Sequence, residues 1–154
     1  MPKTIISDTS CFIVLERINE LGLLYKIYGQ IITTKEVASE YGQSLPDWII
    51  IKETSDKYRK QILGFQLDKG EASVIELAIE IPGSTIILDD LKARTIAQKL
   101  GIEITGTIGI IVKAKLIGVI PSIKPYLDKI RKNGFHLTDE IEKQALLIAG
   151  EIQK

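Results

Sequence analysis

Four carboxylates fall where a strand ends or a helix begins its polar face. They are Asp8 in Ile6-Ser7-Asp8-Thr9-Ser10, Glu40 in Lys35-Glu36-Val37-Ala38-Ser39-Glu40, Glu71 in Asp68-Lys69-Gly70-Glu71, and Asp89 in Leu88-Asp89-Asp90. An acid that closes a strand of an open α/β sheet sits at the carboxyl edge, where such sheets bind ligands. Carboxylates gathered without a counter-ion raise one another's pKa and resist joint ionisation, a conflict that a divalent cation removes. Mg2+ and Mn2+ favour oxygen ligands, and such ions can activate water, orient a phosphate and stabilise a leaving oxygen. All-carboxylate sites therefore suit phosphodiester hydrolysis better than peptide hydrolysis.

Each acid also has a plainer reading. Asp8 before Thr9-Ser10 has the form of a helix N-cap, and Asp89-Asp90 that of a strand-to-helix turn with its cap. Glu40 and Glu71, taken singly, read as solvated helix residues. Glu36 lies four residues before Glu40 on the same helical face and competes with it as a ligand, as Asp90 competes with Asp89. The order and spacing of the whole set favour the site over the separate plain roles.

The elements that must position these acids alternate along the chain. Thr4-Ile5-Ile6 reads as a strand, followed by a helix-like segment from about Phe12 to Leu24. Gln30-Ile31-Ile32 forms a second strand, with Thr33-Thr34 suited to cap a helix over Lys35 to Tyr41. Gly42 through Pro46 is a loop, Trp48 to Lys52 is β-rich, and a polar helical segment carries Asp56, Lys57, Arg59 and Lys60. A helix starting near Gly70 places Glu71 in its first turn and stops before Pro82-Gly83. Thr85-Ile86-Ile87-Leu88 is an apolar run of the buried parallel-strand type. Leu91 to Leu100 is an amphipathic helix, Ile102-Glu103-Ile104 a strand, and Gly106-Thr107 opens a helix to about Ile117. From Ser122 on, two helices divide at Asn133-Gly134, with Thr138 or Asp139 as the new cap. Strand and helix in alternation predict a three-layer α/β/α sandwich around a mostly parallel sheet, with a helical C-terminal extension over 122–154.

The chain has 154 residues, which predicts a single domain over 1–154. Lys+Arg and Asp+Glu are both 20, so no net positive field marks a sequence-independent nucleic-acid binder. Cys11 is the only cysteine and His136 the only histidine, which excludes an intramolecular disulfide framework and a cysteine-based zinc site. Cys11 reads as a small buried apolar residue, and His136 as a loop residue. Lys92, Arg94, Lys99, Lys113 and Lys115 are candidates for a phosphate path, with solvated helix faces as the alternative. No Gly-x-Gly-x-x-Gly supports a dinucleotide site. No apolar run approaches about 18 residues, and the chain reads as soluble and cytoplasmic, with no membrane partner.

The segments Ile6-Ser7-Asp8-Thr9-Ser10, Thr34 to Glu40, Gly70-Glu71-Ala72, Leu88-Asp89-Asp90 with Ala93-Arg94, and Thr105-Gly106-Thr107-Ile108-Gly109 together resemble the PIN-domain family. The likeness is to its short prokaryotic members related to the toxins of toxin–antitoxin pairs, a DUF3368-like subgroup, and covers nearly the whole chain. The resemblance implies a PIN-like fold and an endoribonuclease dependent on Mg2+ or Mn2+. Asp8, Glu40, Glu71 and Asp89 are then the catalytic and metal-holding acids, with Asp90 as a further or alternative ligand. Thr9, Ser10 and Thr107 would support them. The family's third acid is usually Asp, and Glu71 stands in its place. Water as nucleophile implies products with a 5′-phosphate and a 3′-hydroxyl. The resemblance further implies an RNA substrate, a small antitoxin protein as partner, and a homodimer. The rival reading is a non-catalytic PIN-like module that binds RNA or protein. A phosphatase-like hydrolase with a nucleophilic Asp8 ranks below both, because Ser10 stands where its second Asp is needed.

Overall fold

The computed structural model describes residues 3–153; residues 1, 2 and 154, the ends of the predicted domain, lie outside the described residues. Five short strands form one fully parallel sheet: β1 (Ile5–Ser7), β2 (Ile31–Thr34), β3 (Ile49–Lys52), β4 (Thr85–Ile87) and β5 (Glu103–Thr105). Their spatial order is β3-β2-β1-β4-β5. One row of the register consists of isoleucine alone, with Ile50, Ile32, Ile6, Ile86 and Ile104 side by side across the five strands. β-branched side chains suit the pleated surface, and the full burial of Ile6 and Ile86 stabilises by roughly 1.5–3 kcal/mol each, so short strands still hold register. The central strands β1 and β4 are buried along their whole length, as continuously apolar parallel strands require.

Nine helices among the described residues flank this sheet and complete a three-layer α/β/α sandwich. They are α1 (Thr9–Arg17), α2 (Gly22–Tyr28), α3 (Lys35–Tyr41), α4 (Lys57–Leu63), α5 (Lys69–Glu80), α6 (Leu91–Lys99), α7 (Thr107–Leu116), α8 (Lys124–Lys132) and α9 (Asp139–Ile148). One prediction is corrected: the single helix expected from Phe12 to Leu24 is two. The chain leaves α1 at Ile18, and Asn19 adopts φ 59°, a left-handed conformation that Asn tolerates and that a continuing helix forbids. Thr34, Asp56, Asp68, Asp90 and Thr138 each cap the following helix through a side-chain oxygen. The sheet is parallel throughout, where a mostly parallel one was expected. Ile123, Leu127, Ile130, Leu137 and Ala145 from the C-terminal segment join the same buried core as the sheet. No helix among the described residues is long and apolar enough to cross a membrane.

From β1 the chain moves to β2 on one side, and from β4 it moves to β5 on the other. The carboxyl ends of β1 and β4 therefore flank the topological switch point, where parallel sheets leave a crevice. Asp8 follows β1 directly, and Asp89 lies just past β4. The Asp8 amide donates to the Ile87 carbonyl at 3.0 Å, which joins the two strand ends.

Candidate active site

Asp8 sits at the N-cap position of α1 in extended backbone, yet its carboxylate makes no capping hydrogen bond. The residue is 6% exposed, and its Oδ1 is buried without a hydrogen-bond partner. Burial pushes its carboxyl up to about 7, and the charges of Asp68, Glu71 and Glu40 add to the rise. The plain reading of Asp8 as a helix cap is thus not what its side chain does.

Gly70 is the point where two acids meet. A Cβ on Gly70 would lie 2.5 Å from Glu40 Oε2 and 3.4 Å from Asp8 Oδ1. The missing side chain leaves the space between these carboxylates, one from α3 and one from the end of β1. A chain of hydroxyls holds the arrangement. Thr34 Oγ1, which caps α3, lies 2.6 Å from Ser73 Oγ on α5, and Ser73 Oγ donates to the Gly70 carbonyl at 2.7 Å. All of these groups are buried, so they fix α3 against the first turn of α5. Burial raises the Glu40 carboxyl, and the Asp68 charge raises it further. Glu36, by contrast, is ion-paired with Lys60 at 2.7 Å and faces away from this space. The structure therefore sets Glu40, not Glu36, beside Asp8.

Glu71 and Asp68 form a reciprocal capping box at the start of α5. The Glu71 amide donates to Asp68 Oδ1 at 2.8 Å, and the Asp68 amide donates to Glu71 Oε1 at 3.2 Å. Burial holds the Glu71 carboxyl above its ordinary value, with Asp68, Asp90 and Glu40 among the charges that raise it. Asp68 belongs to the acidic group and was missed as a site residue. Its only sequence signal, an acid three positions before Glu71, is also the signature of the capping box, so the spacing reads first as helix architecture.

Asp89 turns toward the N-terminus of α7. Its Oδ1 accepts from the Thr107 amide at 2.8 Å, and its Oδ2 accepts from Thr107 Oγ1 at 2.6 Å and from Ser10 Oγ at 3.3 Å. A Cβ on Gly106 would come within 2.8 Å of Asp89 Oδ1 and 2.7 Å of Arg94 Nη1, so this approach also needs glycine. Asp90 caps α6 by accepting from the Ala93 amide at 2.9 Å. Ser10 and Thr107 thus orient Asp89. Thr9 Oγ1 lies buried on the Glu40 side, where its hydroxyl lowers the Glu40 carboxyl against the rise from burial.

The predicted phosphate path does not form as a unit. Lys115 donates to the Ala149 carbonyl at 2.5 Å and pairs with Glu151 at 3.8 Å, tying down the C-terminal segment. Lys113 lies over the Tyr28 ring at 4.7 Å. Arg94 alone of the five lines the cleft beside Asp89, together with Ser10, Phe135 and His136. Cys11 is fully buried, and burial pushes its thiol well up, so no thiolate is available.

Among the described residues no three acids lie close enough to form a ready-made metal cage. The residues present nevertheless fit a hard divalent cation: an unpartnered buried Asp8 oxygen, a second carboxylate across the Gly70 gap, and an oxygen-only donor set. Against this geometry, a family model described as a PIN domain matches residues 4–151. The chain belongs to the PIN-domain family. PIN domains are generally nucleases and typically depend on a divalent metal. No curated protein and no solved structure matches the chain.

Proposed function

We propose that this PIN-domain protein is an endoribonuclease dependent on Mg2+ or Mn2+. The observation that carries the reading is the buried, unpartnered Asp8 oxygen facing Glu40 across Gly70 at the sheet's switch point. Asp8 and Glu40 would hold the cation, with Glu71 and Asp68 at its margin. When bound, the cation supplies neutralisation of the scissile phosphate and a lowered pKa for the attacking water. Asp89, fixed by Thr107 and Ser10 just past β4, would orient the attacking water with its carboxylate. Arg94, whose Nη1 donates to the Leu88 carbonyl at 3.2 Å, holds the loop that carries Asp89 and sets positive charge beside it. Hydrolysis by water gives a 5′-phosphate and a 3′-hydroxyl.

The deciding experiment incubates purified protein with labelled RNA in Mn2+, in Mg2+ and in excess EDTA. Metal-dependent cleavage with 5′-phosphate ends is expected, and equal cleavage in EDTA overturns the proposal. A cytoplasmic toxin blocked by a small antitoxin, acting as a homodimer, is the biological setting that this reading favours. Arrest of growth on expression, relieved by a co-expressed neighbouring small protein, is the expected outcome.

A second reading has its own observation. Asp68, Glu71 and Asp90 are all engaged as helix caps, an arrangement that a non-catalytic RNA- or protein-binding module would keep without any metal. Calorimetry separates the two: no heat of Mn2+ binding favours the module.

A further inference from the structure

A groove separate from the acidic crevice runs between α3, α4 and the start of α5. Two adjoining hollows of about 600 and 470 Å³ share Glu36, Lys57, Lys60 and Lys69 as walls. Lys60 is neutralised by Glu36 at 2.7 Å. Lys57 and Lys69 have no carboxylate within ion-pair distance among the described residues, and both are exposed. The groove therefore carries positive charge that the protein leaves uncompensated, although the chain as a whole is neutral.

Its position relative to the acids is set by the chain itself. Lys69 is the residue between Asp68 and Gly70, and Ser39, on the groove wall, precedes Glu40. Two residues of the groove wall are therefore direct chain neighbours of the acids. A polyanion approaching Asp8, Glu40, Asp68 and Glu71 is repelled by them and needs cationic contacts close by.

The helix along the groove has an unusual construction. α4 has no buried residue. Leu63 at its end packs partly against the core, and polar groups supply the rest of the anchor: Arg59 forms a two-pronged pair with the fully buried Glu76 on α5, at 2.6 and 2.8 Å, and the Ser55 and Asp56 amides donate to Glu80. This anchor leaves the aromatic side chains of the segment outside the core. Tyr58 is 83% exposed and Phe65, on the groove wall, is 79% exposed. Exposed aromatics interleaved with unpaired lysines are the components of a single-strand platform, on which bases stack while cations follow the phosphates. A duplex would present no free base faces to Phe65.

We propose that this groove is the track for a single-stranded RNA, with a base stacked on Phe65 and phosphates held by Lys57 and Lys69, leading the strand to Asp8 and Glu40. The delivery step rests on the nuclease reading; the binding step does not. The test measures fluorescence anisotropy of a labelled single-stranded RNA in EDTA, where nothing is cut, over a range of salt. Replacing Lys57 and Lys69 together by Ala should reduce the slope of log affinity against log salt by about 1.4, because each single-strand phosphate contact contributes about 0.7. Phe65→Ala should weaken binding about tenfold at an unchanged slope, and Phe65→Trp should restore it. Circular dichroism checks that each variant is folded. Wild-type binding by both variants overturns the proposal. Sedimentation in which Phe65→Ala dissociates a dimer while RNA binding is unchanged assigns the face to a second copy, and also overturns it. Failure of the two readings is distinguishable. Cleavage in Mn2+ with unaltered binding by the groove variants sinks the track alone. Groove-dependent binding without cleavage sinks the nuclease alone.

Discussion

Replacing Asp8 by Asn should make the metal-free protein more stable at neutral pH. The folded Asp8 carboxyl is held at about 7, against an ordinary value of 3.8, first by burial and then by the charges of Asp68, Glu71 and Glu40. A raised folded pKa means that the native state keeps a proton that the unfolded chain has released. This stabilisation is fully present below about pH 4 and is lost as pH rises through about 7. A shift of roughly three units, at about 1.36 kcal/mol each, sets an upper limit near 4 kcal/mol on the loss. Asn is neutral at every pH and escapes it. Urea unfolding of both proteins in EDTA, from pH 4 to 8.5, should therefore give a stability difference that grows toward the variant by up to about 4 kcal/mol. The burial of the Asn amide adds only a constant offset, so the slope is the diagnostic quantity. Mn2+ at one hundred times its Kd should narrow the difference at pH 8 by about 2.7 kcal/mol, since it stabilises the wild type by that amount and the Asp8→Asn variant would bind it poorly. A flat difference across the pH range would refute the claim that Asp8 is a buried, uncompensated acid.

Three substitutions probe the surrounding groups. Gly70→Ala should keep or slightly raise stability, by up to about 1 kcal/mol from helix propensity, while calorimetry shows Mn2+ affinity at least tenfold weaker, because the new Cβ occupies the space beside Glu40 Oε2. Glu71→Gln retains the capping-box geometry and should leave Tm nearly unchanged; a cleavage rate also unchanged would remove the Glu71 charge from the mechanism. Thr107→Val deletes the hydroxyl bond to Asp89 Oδ2 and should cost about 2 kcal/mol in unfolding experiments and tenfold or more in cleavage rate, with Thr107→Ser restoring both.

The alternation of elements was legible because parallel strands leave continuous apolar runs, as in Thr85-Ile86-Ile87-Leu88, and because Thr34, Asp68 and Thr138 sit where caps must. The break at Asn19 was not, since the apolar spacing from Phe12 to Leu24 continues across it and only the backbone changes hand. Positions of the acids were legible as strand and helix ends. Their partners were not: the Thr34, Ser73 and Gly70 chain that fixes Glu40 joins residues far apart in sequence, and hydroxyls carry no periodic signal. Nor does local sequence tell a carboxylate that caps a helix from one that awaits a cation, because Asp before a helix serves both.

That distinction is drawn by how folding compensates each charge. Asp68, Glu71 and Asp90 bond to backbone amides at the starts of α5 and α6, and Asp89 bonds to the first amide of α7. All are at helix N-termini, whose partial positive charge stabilises an anion. A parallel sheet gathers these N-termini on its carboxyl edge, so the topology that clusters the acids also neutralises most of them. Asp8 and Glu40 are compensated only in part: burial raises both carboxyls against the lowering by the Thr9 amide at Asp8 and the Gly70 amide at Glu40. Asp8 occupies a cap position without making the cap bond, and Glu40 lies in the last turn of α3, where the helix end is negative. Strand position alone would rank Asp8 with Asp89 as the leading pair. Charge compensation instead singles out Asp8, the acid that burial raises furthest, and the Gly70 gap sets Glu40 beside it. The fold leaves both carboxyls raised, and the proposed cation between them would balance both.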